Sequence, residues 1–546
     1  MSAPAQDIPD IIVIGAGSAG CAMAGRLAQA QVRVLLLEAG KSDRHYRLRV
    51  PALTSSVVQN PDFDWKYLAE PDPTIGGRSD VWAGGKRLGG GSSINGMMYV
   101  RGHRHDYQRW VELGARGWSY DEVLPYFRRM ETSSQGANEW RGDRGPVGVS
   151  GSRVHYPIID DWLKAALAWG VPRVADHNGH SPGEGSDYAQ MTQRFGLRSS
   201  ATGYLKLPGV RAHLTVHTQA CVRRVLIENG RAVGVEYDRE GQTLQARAKH
   251  GVVMSAGAMN SPRLLMLSGL GPAAHLQDMG IPVLRHVPGV GCNLQEHVGT
   301  HLVNEVNTPT INSEAHGWAL VRHILNFALR RRGILTTSVG HAQAFVHTRP
   351  GLAAPDIQIS FTAFAFDLDG EGKLVLRRDP AVSTVVCVAR PQSRGRLTLR
   401  SNDSFAPPVI RHELLGVEDD LDRLVAGLEI ARSIMAQESM RNYVTAEVRP
   451  GANVHGDALR QFARMASIPL YHPVGTCRMG EGEGTVVDAD LKLRGVDGLW
   501  VADASVMPTL PIGNTNATSI MIGDKGADHV LRAIGRRPGL PAAAHA

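Results

Sequence analysis

The segment from residue 11 to residue 40 limits the possible folds more than any other part of this 546-residue chain. Ile11–Ile14 is a continuous apolar run, which is typical of a strand buried on both faces. A glycine-rich turn follows it, then a predicted helix over Cys21–Ala30 and a second apolar strand over Val32–Leu37. This order predicts a β-α-β unit, and therefore an α/β architecture with a parallel sheet.

The turn carries the Gly15-x-Gly17-x-x-Gly20 pattern of a dinucleotide-binding site. Gly15 permits the tight turn, Gly17 lets the backbone approach a pyrophosphate, and Gly20 lets the helix pack closely on the strand. The helix N-terminus offers N–H donors to the phosphates, and Glu38 can accept hydrogen bonds from the adenosine ribose. This carboxylate disfavours NADP, but the pattern leaves FAD and NAD open. Further predicted contacts in this unit are Ser18, Ala19 and Ala39.

A second glycine-rich block, Gly84–Gly96, favours FAD over NAD. The surrounding residues 82–102 are rich in Gly, Ser and Asn and so offer many backbone N–H groups. Such a segment can wrap a flat, polar, anionic ligand, which suits an isoalloxazine ring and its pyrophosphate. The apolar residues Leu88, Ile94 and Met97 within it argue against a flexible loop.

Composition and charge exclude several classes of protein. Lys and Arg outnumber Asp and Glu by 59 to 52, but the charges are dispersed. The compact basic cluster Arg330–Arg332 is interpreted as a solvated helix end, and we expect no nucleic-acid partner. The five cysteines are scattered without a CxxC pair, which indicates neither a disulfide framework nor a metal site. Together with an N-terminal sequence that lacks signal-peptide and membrane-spanning features, this predicts a cytoplasmic protein.

The rest of the chain predicts an α/β protein, α+β overall, with two structural units. Strand-like pieces over Ile357–Phe361 and Thr384–Ala389 occur beside amphipathic helices over Ala319–Arg331 and Glu418–Gln437. We predict a Rossmann-like FAD-binding domain from the discontinuous segments 1–155, 195–305 and 468–540. An inserted substrate-binding domain with an antiparallel sheet and helices comprises 156–194 and 306–467, and 541–546 is a disordered tail.

Three local expectations concern the FAD-binding segments. Residues 53–148 are expected to be irregular because Gly, Pro, Asp and Trp occur throughout. Leu214–Ile227 is predicted as one strand that forms a hairpin with Ala232–Tyr237 through the turn at 228–230. A strand over Leu499–Ala502 and a closing helix over Ser519–Ile534 are predicted near the C-terminus.

Several spaced motifs resemble the glucose–methanol–choline (GMC) oxidoreductase family. In chain order they are the N-terminal fingerprint, GGGSSINGMMYVRG at 89–102, GAMNSPRLLMLSGLG at 257–271, VGCNLQEH at 290–297, YHPVGTC at 471–477, and Asp503-Ala-Ser505 followed by GNTN at 513–516. The resemblance covers nearly the whole chain, in order. Because the family binds FAD, the resemblance implies FAD as the cofactor.

The resemblance also implies which residues hold that cofactor. It places the flavin against the backbone at Asn95–Met98, the adenine near Val222, and the ribityl–pyrophosphate near Asp503 and Ala504. The predicted contacts outside the N-terminal unit are Trp82, Gly90, Ser93, Asn95, Gly96, Met97, Met98, Val222, Asp503, Ala504, Asn514 and Thr515.

Three departures from the family pattern lead to further expectations. Some relatives attach FAD covalently through a His in the glycine block, but Ile94 occupies that position here, so we predict non-covalent FAD. Glu296 stands where the family usually has Asp, and Ala83-Gly84 stands where it usually has Pro-Arg. We expect neither change to touch the chemistry directly, although both can shift local packing.

Alcohol oxidation needs a base for the hydroxyl proton, and His is suited to this task. His472 lies in the motif that resembles the family's catalytic element and is predicted to be the general base. The family's second catalytic position matches Asn514, with Asn516 as the alternative; an Asn can orient the substrate oxygen but cannot act as a base. Phe364, Phe366 and Tyr471 are predicted to line the substrate pocket, which favours aliphatic or aryl alcohols.

The resulting prediction is the oxidation of a primary alcohol to an aldehyde. His472 would abstract the proton, flavin N5 would accept the hydride, and O₂ or a quinone-type acceptor would reoxidise the flavin. One alternative is a flavin photoenzyme that acts on fatty acids, but such relatives lack the His and carry Cys where this chain has Ala389. A non-catalytic FAD-binding protein is the other alternative, and the sequence indicates no oligomeric state.

Overall fold

The computed structural model describes residues 8–368 and 374–538, so the predicted tail at 541–546 lies outside the described residues. The α-helices in these ranges are α1 Ser18–Gln29, α2 Tyr46–Arg49, α3 Gly91–Ile94, α4 Arg104–Glu112, α5 Tyr120–Met130, α6 Pro157–Trp169, α7 Gly257–Leu267, α8 Ala273–Asp278, α9 Ile311–Glu314, α10 Gly317–Arg330, α11 Glu418–Met435, α12 Glu438–Arg441, α13 Gly456–Ala466 and α14 Asn516–Ala533.

The strands, several of them only two residues long, alternate with these helices. They are β1 Ile11–Ile14, β2 Val34–Glu38, β3 Tyr67–Leu68, β4 Val81–Trp82, β5 Glu131–Ser133, β6 Val147–Gly151, β7 Gly185–Tyr188, β8 Gln190–Met191, β9 Gln193–Arg194, β10 Leu197–Arg198, β11 Leu214–Thr218, β12 Cys221–Glu228, β13 Arg231–Arg239, β14 Gln242–Arg247, β15 Gly251–Met254, β16 Leu270–Gly271, β17 Arg285–His286, β18 Val298–Val306, β19 Ala342–Val346, β20 Ile357–Thr362, β21 Phe366–Leu368, β22 Leu374–Leu376, β23 Ala381–Val388, β24 Arg396–Thr398, β25 Val409–Arg411, β26 Val444–Arg449, β27 Ile468–Pro469 and β28 Leu499–Val501.

A parallel sheet of five strands, in the order β11-β2-β1-β15-β28, confirms the predicted α/β class. Every residue of β1 and β2 is buried, as expected for strands of a parallel sheet that is covered on both faces. The β-α-β unit is present, but its helix begins at Ser18, with Gly17 as the N-cap, rather than at Cys21, and its second strand is Val34–Glu38 rather than Val32–Leu37. Because β15 and β28 come from distant parts of the chain, the sheet is assembled from discontinuous segments.

Two glycines let the helices of this unit come into backbone contact. A Cβ at Gly20 would overlap the carbonyl oxygen of Gly15, so only glycine allows α1 to lie this close to the turn. A Cβ at Gly523, in α14, would overlap the carbonyl oxygen of Ala19. The C-terminal helix therefore packs directly on the first turn of α1.

The second sheet is antiparallel and runs in the order β26-β18-β23-β20-β19-β7, with β27 also paired to β18. Side chains alternate between its two faces. A Cβ at Gly427 of α11 would lie 2.7 Å from Val386 Cγ1 and 3.2 Å from two side-chain carbons of Ile357, so these residues face the helix. The neighbouring cross-strand pair, Gln358 and Cys387, faces the opposite side and lines a large cavity.

Two expectations about local structure are wrong. Residues 53–148 are not irregular throughout, because they include α4 and α5. A capping box starts α5, with the Ser119 N–H donating to the Glu122 carboxylate at 3.0 Å. This Ser-x-x-Glu spacing is present in the sequence, but Pro125 inside the helix and the surrounding glycines obscure it.

The predicted strand Leu214–Ile227 is in fact two strands in two sheets. β11 joins the parallel sheet, whereas β12 forms the predicted hairpin with β13. Between them Gln219 adopts a left-handed φ of 54°, which ends the extended conformation. An alternating pattern does not distinguish one long strand from two short strands separated by such a break.

Sheet membership leads us to propose one shift in the predicted domain boundaries. β18 spans Val298–Val306 and hydrogen-bonds within the antiparallel sheet, so we propose that the inserted unit resumes near residue 298 rather than 306. Within residues 8–368 and 374–538, no helix combines the length and the apolar character needed to cross a bilayer.

The contact between α1 and α14 predicts a larger loss of stability for one of two glycine substitutions in the same helix. Gly523→Ala should lower the thermal unfolding midpoint, by the equivalent of about 1–3 kcal/mol, because the added methyl meets backbone that cannot move aside. Gly526→Ala is the matched control, since its nearest atoms are the flexible side-chain ends of Leu491 and Met23 at 3.0 Å. Equal midpoints for the two variants would contradict this assignment.

Candidate active site

A cavity of about 800 Å³ is lined by residues of both sheets. Ile14 and Leu37, at the carboxyl ends of β1 and β2, form part of its wall, which is the usual ligand position in a parallel sheet. Gln358 and Cys387 of the antiparallel sheet form another part. The cavity therefore runs from the glycine-rich turn to the inserted unit.

The two glycine-rich motifs meet at one end of this cavity, here called the nucleotide end. A Cβ at Gly90 would lie 2.6 Å from the Cα of Gly17, so the second block folds directly against the fingerprint turn. Ser18 and Ala19, in the first turn of α1, line the cavity. Backbone N–H groups in a first helical turn have no partner inside the helix and are free to bind an anion.

Glu38 is fixed at this end by two backbone donors. Its Oε2 accepts from the Ala16 N–H at 2.9 Å and its Oε1 from the Gly40 N–H at 2.8 Å. Burial raises the pKa of this carboxyl to about 7, although both hydrogen bonds act in the opposite direction. Each oxygen can accept a further hydrogen bond, as a pair of ribose hydroxyls requires.

The chemistry of the wall fits a large polar cofactor such as FAD. Asn514 Oδ1 and Asn516 Nδ2 are buried, belong to residues that line the cavity, and lack a hydrogen-bond partner among the described residues. At Gly91 and Gly257 the space that a Cβ would occupy is open, so a ligand can lie against the backbone. Unpartnered polar atoms beside bare backbone are expected where a polar ligand completes the site.

Most of the predicted cofactor residues lie on the cavity wall. They are Gly15, Gly17, Ser18, Ala19, Glu38, Ala39, Gly90, Asn95, Gly96, Met97, Met98, Val222, Asp503, Ala504, Asn514 and Thr515. Three others are not part of the lining. Gly20 packs on the turn, Trp82 is buried beside His412 with ring centroids 5.2 Å apart, and Ser93 donates to the Leu88 carbonyl at 2.8 Å.

His472 and Asn514 meet at the other end of the cavity, here called the catalytic end. His472 follows β27, and Asn514 immediately precedes α14. Asn514 Nδ2 lies 3.1 Å from His472 Nε2. Asn516, the alternative partner, instead accepts a hydrogen bond from Ser18 Oγ at 2.8 Å. The structure therefore brings Asn514, and not Asn516, to the predicted base.

A third residue, His297, extends this pair into a chain of hydrogen bonds. His297 Nδ1 lies 2.9 Å from His472 Nδ1, and His297 Nε2 lies 3.0 Å from the Ala389 carbonyl oxygen. Burial lowers the pKa of His297 to about 4 and lowers that of His472 well below its usual range, to which the neighbouring His297 contributes. Both imidazoles are therefore neutral near pH 7.

The Ala389 carbonyl decides where the protons lie in this chain. A carbonyl only accepts, so His297 Nε2 carries a proton and its Nδ1 is a bare acceptor. His472 must then donate from Nδ1, which leaves its Nε2 lone pair as an acceptor on the side of Asn514. Because the Asn514 amide nitrogen donates to that lone pair, every contact in the chain has one donor and one acceptor.

Glu296 holds the backbone of this site through the His472 N–H, a contact that the sequence did not indicate. Its two carboxylate oxygens accept from the His472 N–H at 2.7 and 2.8 Å. Burial raises the pKa of Glu296 well above its usual range. The sequence motif contained both Glu296 and His297, but nothing in it distinguished His297 from the other 21 histidines.

The walls of the catalytic end are mostly apolar. Phe364 and Phe366 meet edge to face at 5.5 Å, and both line the cavity together with Tyr471. Sequence reasoning missed a further set of apolar lining residues near α9 and α10. They are Ile311, Ala315, Leu320, Ile334 and Leu335. No sequence signal marks them, because they reach the cavity only through the packing of these helices.

Comparisons with known proteins agree with this architecture. Residues 9–299 and 391–523 match two family models, both described as GMC oxidoreductase. An oxygen-dependent choline dehydrogenase of Rhizobium rhizogenes is 39% identical over 528 residues, which cover 96% of this chain and 95% of that protein. An uncharacterized GMC-type oxidoreductase of Mycobacterium bovis is 42% identical over 530 residues, with 95% and 98% covered. The crystal structure of pyridoxine 4-oxidase from Mesorbium loti superposes with a TM-score of 0.85 at 28% identity, covering 95% and 98%.

The hydrogen-bond chain predicts the tautomers of both histidines and their response to acid. In ¹⁵N-histidine-labelled protein, two-bond ¹H–¹⁵N spectra should show His472 protonated at Nδ1 and His297 at Nε2. Because burial depresses both pKa values, both rings should stay neutral well below about pH 6.5, where an ordinary imidazole titrates.

The His472→Gln and His297→Gln variants assign the two signals. A His472 ring protonated at Nε2, or one that titrates at about pH 6.5, would contradict the proposed chain. The same depressed pKa values predict a loss of stability in acid, since below about pH 6.5 the unfolded histidines bind protons that the folded ones do not.

Proposed function

This chain belongs to the GMC oxidoreductase family, FAD flavoproteins that act on CH–OH donors, and from this premise we propose that it oxidises a primary alcohol to an aldehyde. The observation that carries the proposal is the position of His472 Nε2, 3.1 Å from the Asn514 amide nitrogen, in two residues that both line the cavity. FAD, when bound, supplies the acceptor for the hydride, at N5.

The proposed role of His472 is that of the general base. A neutral imidazole that is protonated at Nδ1 can accept the hydroxyl proton at Nε2 as the alcohol is oxidised. The proton on Nδ1 stays hydrogen-bonded to His297, which stabilises the imidazolium that forms. Glu296 supports this role through the His472 backbone, since it fixes the loop that carries the ring.

Asn514 is proposed to orient the substrate oxygen. Its amide nitrogen carries two N–H groups, of which one donates to His472 Nε2. When an alcohol binds, the Asn514 amide can donate to the substrate oxygen instead of to His472 Nε2. This hydrogen bond directs the hydroxyl proton to the base. The Asn514 amide is not basic near pH 7, so Asn514 cannot act as the base in place of His472.

The cavity wall favours a neutral aliphatic or aryl alcohol. Phe364, Phe366 and Tyr471 offer apolar contacts at the catalytic end. The carboxylates among the described lining residues are Glu38, held by the Ala16 and Gly40 N–H groups at the nucleotide end, and Asp503, which accepts from the Gly257 N–H at 2.9 Å. A choline-like cation would be better matched by a carboxylate beside the aromatic rings, so we propose a neutral substrate although one relative is named for choline.

We further propose an electron acceptor and a cellular compartment for the enzyme. The reduced flavin is reoxidised by O₂ or by a quinone-type acceptor. We also propose that the enzyme acts in the cytoplasm, a compartment that suits its free, mostly buried cysteines.

Anaerobic reduction of the bound flavin by a panel of alcohols tests the proposed function. Aliphatic and aryl primary alcohols should bleach the flavin absorbance, and His472→Ala should slow this reduction by about 10²–10⁴-fold while FAD stays bound, because the base is lost. His455→Ala, at an exposed histidine that is not among the residues lining the cavity, is the matched control.

Two outcomes would overturn this proposal. A flavin that no alcohol bleaches would favour a non-catalytic FAD-binding protein, and an unchanged rate in His472→Ala would remove the base assignment. Reoxidation measured with O₂, as peroxide formed, and separately with an artificial quinone then identifies the electron acceptor.

Non-covalent attachment of FAD is the remaining proposal. Ile94, which occupies the position of the attaching His in some relatives, lines the cavity with an apolar side chain that cannot form a bond to flavin. Cys387 also lines it, but burial raises the pKa of its thiol and keeps it protonated. Acid precipitation should leave the yellow chromophore in the supernatant, and a yellow pellet would contradict the proposal.

A further inference from the structure

Helix α10 presents an apolar face to the solvent. Trp318, Val321, Leu325 and Leu329 recur every three or four residues and so lie on one face of the helix. The exposed fraction is 86% for Trp318, 56% for Leu325 and 81% for Leu329. Contiguous exposed apolar surface of this kind usually marks an interaction site in proteins that are otherwise polar outside.

The opposite face of α10 is fixed to the body of the protein. His323 and Phe327 are buried. His323 Nε2 lies 3.2 Å from the Glu314 carboxylate, which also accepts from the Tyr156 hydroxyl at 2.6 Å. The orientation of the helix is therefore set by contacts of its inner face, and the apolar residues point outward because of that packing.

Exposed arginines surround the apolar face. Arg322 lies within the helix, and Arg330, Arg331 and Arg332 follow at its C-terminal end. Glu314 is the only acidic residue between positions 311 and 339, so the segment has a net positive charge. A helix with Trp and Leu on one face and arginines around it has the composition of a helix that lies in a membrane interface.

A neighbouring loop adds to this surface. A Cβ at Gly196 would lie 2.6 Å from the Arg331 carbonyl oxygen, so this loop touches the end of α10. Phe195 on the same loop is 70% exposed, and the guanidinium of Arg194 lies 5.5 Å from its ring centroid. The patch thus continues beyond the helix with the same combination of an aromatic ring and a basic group.

Charge distinguishes the possible occupants of this face. A second copy of the chain in a two-fold interface would bring the same patch against itself and so place its arginines near one another. Like charges across an interface oppose binding, and the segment contains no second acidic residue to compensate. An anionic lipid surface complements both the arginines and the apolar side chains.

We infer that α10, with Arg330–Arg332 and the Phe195 loop, docks the protein on the surface of a bilayer that contains anionic phospholipids. Trp318, Leu325 and Leu329 enter the boundary between headgroups and acyl chains, and the arginines contact lipid phosphates. Leu320, on the same helix, lines the catalytic cavity. Docking therefore places one wall of that cavity next to the membrane.

Vesicle co-sedimentation of the full-length protein tests this inference. Vesicles of phosphatidylcholine with phosphatidylglycerol should bind the protein, vesicles of phosphatidylcholine alone should bind at least tenfold less, and added salt should release it. Replacing Arg322, Arg330 and Arg332 by Gln should weaken binding about tenfold or more. The matched control replaces the exposed Arg116 and Arg144, which lie elsewhere, by Gln.

A second pair of variants tests the apolar contribution. Trp318→Ser combined with Leu325→Ser and Leu329→Ser should abolish sedimentation with vesicles, whereas Leu167→Ser, at an exposed leucine of α6, should leave it unchanged. Flavin content and thermal midpoint should match the unmodified protein, because the altered side chains are exposed.

Three results would overturn the inference. They are no binding to phosphatidylglycerol vesicles at low salt, equal binding to both vesicle types, and a concentration-dependent dimer that the apolar triple variant dissociates. The last result would assign the face to a second copy of the chain.

Discussion

The close backbone contact at the β1–α1 turn is the constraint on which the site depends. Gly20 lets α1 lie against the Gly15 carbonyl, and Gly523 lets the C-terminal helix lie against the Ala19 carbonyl. Ser18 Oγ then donates to Asn516 at 2.8 Å, across almost the whole length of the chain. Because Asn514 lies immediately before this helix, the contact that shapes the nucleotide end also positions the catalytic end.

At the catalytic end, a single backbone carbonyl fixes which histidine ring nitrogens carry protons. The Ala389 oxygen can only accept a hydrogen bond, so His297 carries its proton on Nε2. His297 Nδ1 must then accept, which places the His472 proton on Nδ1. Burial keeps both rings neutral, so the arrangement persists near pH 7 without an acidic partner for either histidine. A carboxylate is present, but Glu296 binds the His472 backbone rather than its ring. The site thus orients the proposed base with neutral groups.

In the inserted unit, side chains alternate between the two faces of the antiparallel sheet, and the two faces have different roles. Ile357 and Val386 pack on α11, while Gln358 and Cys387 on the same strands face the cavity. Helix α10 makes a similar division, since its inner face fixes it to the protein while its outer face is apolar and exposed. One unit therefore supplies the substrate wall and a surface that can meet a partner.

The sequence alone determined the elements that depend on interactions between residues close together in the chain. The glycine spacing at residues 15–20 specified a strand–turn–helix, and the family resemblance identified His472 and Asn514. The sequence could not identify His297 or the role of Glu296, because their contacts join segments about 175 residues apart. It also could not tell which face of α10 is outward, since both faces carry apolar residues. Only tertiary packing decided these features, because long-range contacts are chosen by the fit of whole surfaces and not by the pattern along any one segment.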